Sequence, residues 1–164
     1  MTLPEQERER FCQVLHHSRT SLYRLAFSIT RNSSDAQEAV AEAVCRAYER
    51  YPQLREKEKL PRWLLKINAN EARRLCQRRG RTVSLDDLPT EPAIPGRETG
   101  DDTLWQAVQT LPRDQREAVV LFYYEDLPTE EIARIVGTSP GAVRVRLSRA
   151  REKLRSILKE GDYG

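Results

Sequence analysis

The stretch LPTEEIARIVGTSPGAVRVRLSRAREKL, residues 127–154, decides the fold class of this chain. Thr129 can cap a short helix running to Val136, and Gly137 suits the left-handed residue that ends one. Ser139 can cap the next helix, with Pro140 in its first position. Helix, tight turn and longer helix make a helix-turn-helix. In the longer helix, Val143, Leu147, Ala150 and Leu154 recur at steps of four, three and four. They form one apolar face, expected to bury against Ile132, Ala133 and Val136. The opposite face shows Arg144, Val145, Ser148 and Arg149, with Arg146 and Arg151 at its flanks and Lys153 beyond. The N-terminal part of such a helix enters a DNA major groove. Arginine is shaped for bidentate contact with guanine, while the remaining cations hold phosphates without reading sequence.

Helical periodicity extends outward in both directions. Upstream of the motif, one helix carries Leu104, Val108 and Leu111, and Pro112 opens another with Ala118, Val119, Leu121 and Phe122 facing inward. At the N-terminus, Thr2 and Glu5 have the spacing of a capping box, with Pro4 in the first turn. Phe11, Val14 and Leu15 follow, then Leu22, Leu25, Ala26 and Ile29 on the same helix or its successor. Ser34, with Gln37 three residues on, is expected to cap a helix whose apolar stripe is Ala36, Val40, Ala43, Val44 and Ala47. Residues 51–61 read as a charged loop between Pro52 and Pro61. From about Arg62 to Arg79 a further helix has Trp63, Leu64, Ile67 and Leu75 on its buried side, Trp63 being expected as a core anchor. Arg62, Lys66, Asn70 and Arg73 run along another face, and Gly80 ends the helix. Residues 81–102 hold three prolines, two glycines and no sustained period, as a linker does. The chain is therefore expected to be all-α: two small helical bundles, residues 1–80 and 103–160, joined by a flexible acidic linker over 81–102.

The charge distribution agrees with that division. The net charge over 164 residues is only +3, which by itself points to no partner. Residues 62–81, however, hold seven basic residues against Glu71 alone, and residues 140–159 hold seven against Glu152 alone. Residues 82–102 carry six acids and only Arg97. Two cationic helices flank an acidic tether, an arrangement that suits two contacts with nucleic acid.

The helix-turn-helix region resembles domain four of extracytoplasmic-function sigma factors. The resemblance rests on Leu111-Pro112, Arg116-Glu117, Leu127 to Ala133, Gly137-Thr138-Ser139, Gly141, Val143-Arg144, Arg146-Leu147 and Arg149-Ala150-Arg151. It implies that this helix reads the −35 promoter element, with Arg144, Val145, Ser148 and Arg149 at the base-reading positions. Residues 22–48 resemble the polymerase-binding segment of sigma domain two, through Asp35-Ala36, Glu38, Val40, Glu42 and Arg46-Ala47-Tyr48. Ala41 stands where glutamine is usual, and Val44 where an aromatic is common. Trp63-Leu64, Ile67 and Asn70 match the family's WLxxIxxN signature. The helix bearing it, with the loop before it, is implied to bind the melted −10 element. Arg62, Lys66, Asn70, Arg73 and Arg74 would line the strand, and the loop would take an unstacked base. Arg74 stands where the family commonly has an acid. By the same resemblance the SLDDLP segment, residues 84–89, threads toward the RNA exit channel. The implied partners are core RNA polymerase, through its clamp helices and flap, promoter DNA and an anti-sigma factor. The resemblance spans about residues 10–158.

Other classes of function find less support. No phosphate-binding loop or HExxH motif is present. Cys12 and His16 lie one helical turn apart, but no second ligand pair is near, so no metal or other cofactor is expected. Cys12, Cys45 and Cys76 form no CxxC pair, which fits a reducing cytoplasm. No apolar run is long enough to span a membrane, and MTLPEQERER is not a signal peptide. A stand-alone helix-turn-helix regulator is the main alternative, distinguished by binding duplex DNA unaided. A helical interaction protein without a DNA role is the third reading.

Overall fold

A computed structural model describes residues 3–80 and 102–162. The expected Thr2 cap and the acidic segment 81–101 lie outside the described residues. The fold is all-α, every regular element among the described residues being helical. The chain forms two compact units, divided between residues 89 and 90.

In the first unit, α1 (Glu5–Thr30), α2 (Ser33–Arg50) and α3 (Leu60–Arg79) pack against one another. α1 is a single helix across both apolar segments seen in the sequence. It ends at Arg31, whose left-handed backbone (φ 56°) lets its N–H donate to the Phe27 carbonyl at 2.7 Å. The cap of α2 is Asn32 rather than Ser34. Asn32 has extended backbone, and its side-chain oxygen accepts from the Asp35 N–H at 2.9 Å. The buried stripe of α2 also departs from expectation: it is Ala36, Ala39, Ala43 and Ala47, while Val40 and Val44 are half-exposed. Four alanines let the backbone of α2 approach α1 and α3 closely, and valines on that stripe would hold the helices apart.

α3 begins at Leu60, two residues earlier than expected, and buries Leu60, Leu64, Leu65, Ile67, Ala69, Ala72 and Leu75. Trp63 is only half-buried. At 3.6 residues per turn it falls at the edge of this stripe, beside Asn70 rather than among the leucines. Asn68, fully buried, donates from Nδ2 to the Leu22 carbonyl at 2.8 Å and ties α3 to α1. The segment between α2 and α3 is compact, with two 3₁₀ turns at Tyr51–Gln53 and Lys57–Lys59. The Lys57 ammonium donates to the Tyr51 and Leu54 carbonyls, both at 2.7 Å. It also lies 4.3 Å from the centre of the buried Tyr51 ring.

The second unit contains α4 (Asp102–Gln109), α5 (Arg113–Val119), α6 (Thr129–Val136) and α7 (Pro140–Asp162). α5 continues as a π-helical turn, Val120–Tyr124. That wider turn shifts the 3.6-residue period: Val120 and Leu121 point into the core, and Phe122 is half-exposed. On α4, Leu104, expected on the apolar face, is 38% exposed, and Trp105 is buried instead. Arg116 is buried, and its Nη1 donates to the Leu111 carbonyl at 2.7 Å, bracing the turn between α4 and α5. α7 packs on α5 as well as α6. Val143, Leu147 and Ala150 are buried as expected, but Leu154 is half-exposed. Ile135 rather than Val136 completes the α6 contribution. Leu154 joins Leu104, Val108, Val119 and Leu158 around an apolar cleft on this unit.

Candidate nucleic-acid interface

The geometry of the helix-turn-helix comes from its local chemistry. Gly137 closes α6 in the left-handed region (φ 79°), its N–H donating to the Ala133 carbonyl at 2.8 Å. A side chain there would strain the backbone, although the space around it is open. Ser139 caps α7 as the sequence suggests: its Oγ accepts from the Ala142 N–H at 3.1 Å. Thr129 does not cap α6. Pro128, with extended backbone, holds that position, and its carbonyl accepts from the Glu131 and Ile132 N–H groups at 3.0 Å.

On α7, burial of Val143, Leu147 and Ala150 turns Arg144, Val145, Ser148 and Arg149 outward, and all four are exposed. Val145 is 47% exposed. Lys153 is also exposed. The two flanking arginines are engaged within the unit. Arg146 is half-buried, with its Nε 3.8 Å from the Asp114 carboxylate on α5. Arg151 donates from Nε to the Tyr123 hydroxyl at 2.7 Å, with its guanidinium over that ring.

On α3, Arg62, Lys66, Asn70 and Arg74 are exposed and Arg73 is half-exposed, all on the side away from the leucine core. Arg73 donates to Asn70 Oδ1 at 3.3 Å. Arg74 donates to Glu71 Oε2 at 3.0 Å. Glu71 is the residue that reading the sequence missed. The lone acid in a basic helix passes for a solvated charge, yet it is 6% exposed and faces α2. There Arg46 places its Nε 2.7 Å from the same Oε2.

The expected polymerase-docking residues on α2 divide in two. Val40, with Val44, Glu38 and Glu42, lies on the accessible side of the helix. Arg46 is turned toward Glu71, and Asp35 is half-buried. Arg79, at the end of α3, reaches Asp35 at 3.1 Å and Glu38 at 3.4 Å, and Arg78 approaches Glu38 at 4.0 Å. The acids that open α2 therefore meet the cations that close α3. Cys12 and His16 are both exposed on α1. Among the described residues no helix is long and apolar enough to cross a membrane.

Comparison with known proteins bears on both units. Residues 14–82 match the family Sigma-70 region 2, and residues 101–154 match Sigma-70, region 4. The chain is 32% identical over 142 residues to RNA polymerase sigma factor SigV of Bacillus subtilis, covering 85% of this chain and 86% of that protein. It is 30% identical over 148 residues to ECF RNA polymerase sigma factor SigE of Mycolicibacterium smegmatis, covering 84% of this chain but 57% of that longer relative. Among solved structures, the sigma factor RpoE in complex with the anti-sigma factor NepR from Bartonella quintana superposes with a TM-score of 0.75 at 27% identity. That match covers 95% of this chain and 98% of the other.

Proposed function

The chain belongs to the extracytoplasmic-function group of the sigma-70 family, and from that membership we propose how its two units divide the recognition of a promoter. It is an alternative sigma factor, which binds core RNA polymerase and directs promoter-specific initiation. The bond-making chemistry of transcription belongs to the polymerase, and this chain supplies no catalytic group of its own.

In the reading we favour, residues 103–160 form domain four, and α7 enters the major groove of the −35 element. Arg144, Val145, Ser148 and Arg149 meet base edges there. Lys153 contacts phosphate, and Arg146 and Arg151 join it at the rims of the groove. Residues 1–80 form domain two. The exposed arc of α3, Arg62, Lys66, Asn70, Arg73 and Arg74, runs along the melted −10 strand, and half-exposed Trp63 borders it. The face of α2 bearing Val40, Val44, Glu38 and Glu42 docks on the clamp helices of the polymerase, Asp35 lying at its edge. Residues 81–102 link the two domains. An anti-sigma factor, of the kind with which RpoE was solved, would cover the apolar cleft of the second unit.

One observation carries this reading: the packing of α7 leaves two arginines, a serine and a valine exposed at the start of a helix whose opposite side buries Val143, Leu147 and Ala150. Run-off transcription on a promoter library, with core polymerase in the presence and absence of the chain, tests it. Transcripts from a defined subset of promoters are expected only when both are present. Unaided binding to duplex DNA, with no chain-dependent transcripts, would instead mark a stand-alone regulator.

A further inference from the structure

Arg46, Glu71 and Arg74 are joined through a single oxygen atom. The Glu71 side chain is 7% exposed, and its Oε2 has Arg46 Nε at 2.7 Å and Arg74 Nη1 at 3.0 Å. A buried carboxylate requires a counter-ion, because loss of the only partner leaves an uncompensated charge out of water. It does not require two. The two cations differ in ways that decide which is dispensable. Arg46 comes across from α2, and its side chain is 33% exposed; its other acidic neighbour, Glu42, is more distant at 3.9 Å. Arg74 is 52% exposed, sits on the same helix as Glu71 three residues on, and borders the cationic arc of Arg62 and Lys66. A change of rotamer releases Arg74 toward solvent without moving any helix. Two guanidinium groups crowded on one oxygen also repel each other, which a phosphate accepting one of them would relieve.

We infer that Arg46 is a positioning residue for the DNA-binding face: by holding Glu71 it leaves the Arg74 guanidinium available to a phosphate of the melted strand. Arg46 then acts on DNA through Glu71 and not by contact with polymerase. The inference rests on the reading of α3 as the strand-binding helix. It gives the lone acid of that helix a purpose, since Glu71 bridges the docking helix and the DNA helix.

The test uses the full chain bound to core polymerase and a fluorescein-labelled duplex carrying a short mismatched bubble of randomised sequence. Binding is followed by anisotropy with core polymerase alone as baseline, and capture of core by each variant is measured in parallel. R74Q is expected to weaken bubble binding by roughly two- to fivefold, the size of one exposed charge contact. R46Q should weaken it comparably, because Arg74 becomes the sole counter-ion of Glu71. The triple variant R46Q/E71Q/R74Q, which removes the buried carboxylate together with both of its cations, should bind no worse than R74Q. R46Q/E71Q should recover binding and should capture core as the unsubstituted chain does. The inference is overturned if R46Q binds the bubble normally while R74Q does not, or if the triple variant binds worse than R74Q. It is equally overturned if R46Q loses core capture and E71Q fails to restore it. Should R46Q not fold, R46Q/E71Q is compared with R46Q/E71Q/R74Q: a loss on removing Arg74 supports the inference, and equal binding refutes it. Unchanged binding by R62Q, K66Q and R74Q alike would instead refute the reading of α3 itself.

Discussion

Tyr51 shows how a single side chain couples the loop before α3 to the helical core. Its ring is fully buried, packed edge-on against Phe11 with centroids 5.5 Å apart, while the Lys57 ammonium lies over it. Burial raises the phenol above its ordinary value near 10, and the Glu7 carboxylate adds to the effect. The sign follows from proton counts. Above about pH 10 the unfolded phenol has lost a proton that the folded one keeps, so the stability it contributes is intact below about pH 10 and is lost as pH rises from there through the folded value. Tyr51→Phe is expected to flatten the alkaline limb of stability, read as urea midpoints on either side of about pH 10. Equal alkaline slopes for both proteins would exclude Tyr51 as the titrating group. Gly137 and Arg116 act at the same scale, one by adopting a left-handed backbone and the other by donating to the Leu111 carbonyl across a turn. Neither needs to touch DNA to matter for the reading helix.

At the scale of elements, α7 is a rod with one buried side, and its remaining residues differ in what they can do. Arg149 stands on the exposed face with Arg144 and Ser148, whereas Lys153 lies one turn further from the start of the helix. Arg149→Ala is expected to cost about 1–3 kcal/mol at the upstream element and to relax the base preference there. Lys153→Gln should weaken binding on all sequences and lower the salt slope by about one. Competition binding of the holoenzyme on promoter variants at several salt concentrations separates the two. Identical behaviour of both variants on every sequence would mean that the reading face is misassigned. α2 shows the complementary economy: four alanines face inward, and Val40 and Val44 stay half-exposed.

At the scale of the whole molecule, each unit has a core of its own. Leu22, Leu25, Leu60 and Leu64 are fully buried in the first, and Val108, Leu111, Ile132 and Leu147 are nearly or fully buried in the second. A large-to-small change in one core should therefore be felt in that unit. Leu64→Ala is expected to destabilise the first unit by about 2–5 kcal/mol. Calorimetry should show its transition moving down while that of the second unit stays in place. Movement of both transitions together would show that the two cores unfold as one. Two bundles, each with a core of its own, also suit recognition of two separated stretches of one promoter.

The sequence by itself determined the helices, their caps at Gly137 and Ser139, and the apolar period of Val143, Leu147 and Ala150. These depend on residues a few positions apart, whose chemistry is legible along the chain. The exposed arcs of α3 and α7 follow from the same period and were legible too. Only the tertiary structure decided Ala39 over Val40, Trp105 over Leu104 and Ile135 over Val136. Neighbouring positions on a helix are equally apolar on paper, and the choice between them depends on how close the next helix comes. The π-helical turn at Val120–Tyr124 adds a local shift that no 3.6-residue pattern anticipates. Glu71 is the sharpest case: its burial depends on Arg46, twenty-five positions earlier on a different helix. A charge so far away in the chain becomes a counter-ion only when two helices are packed side by side.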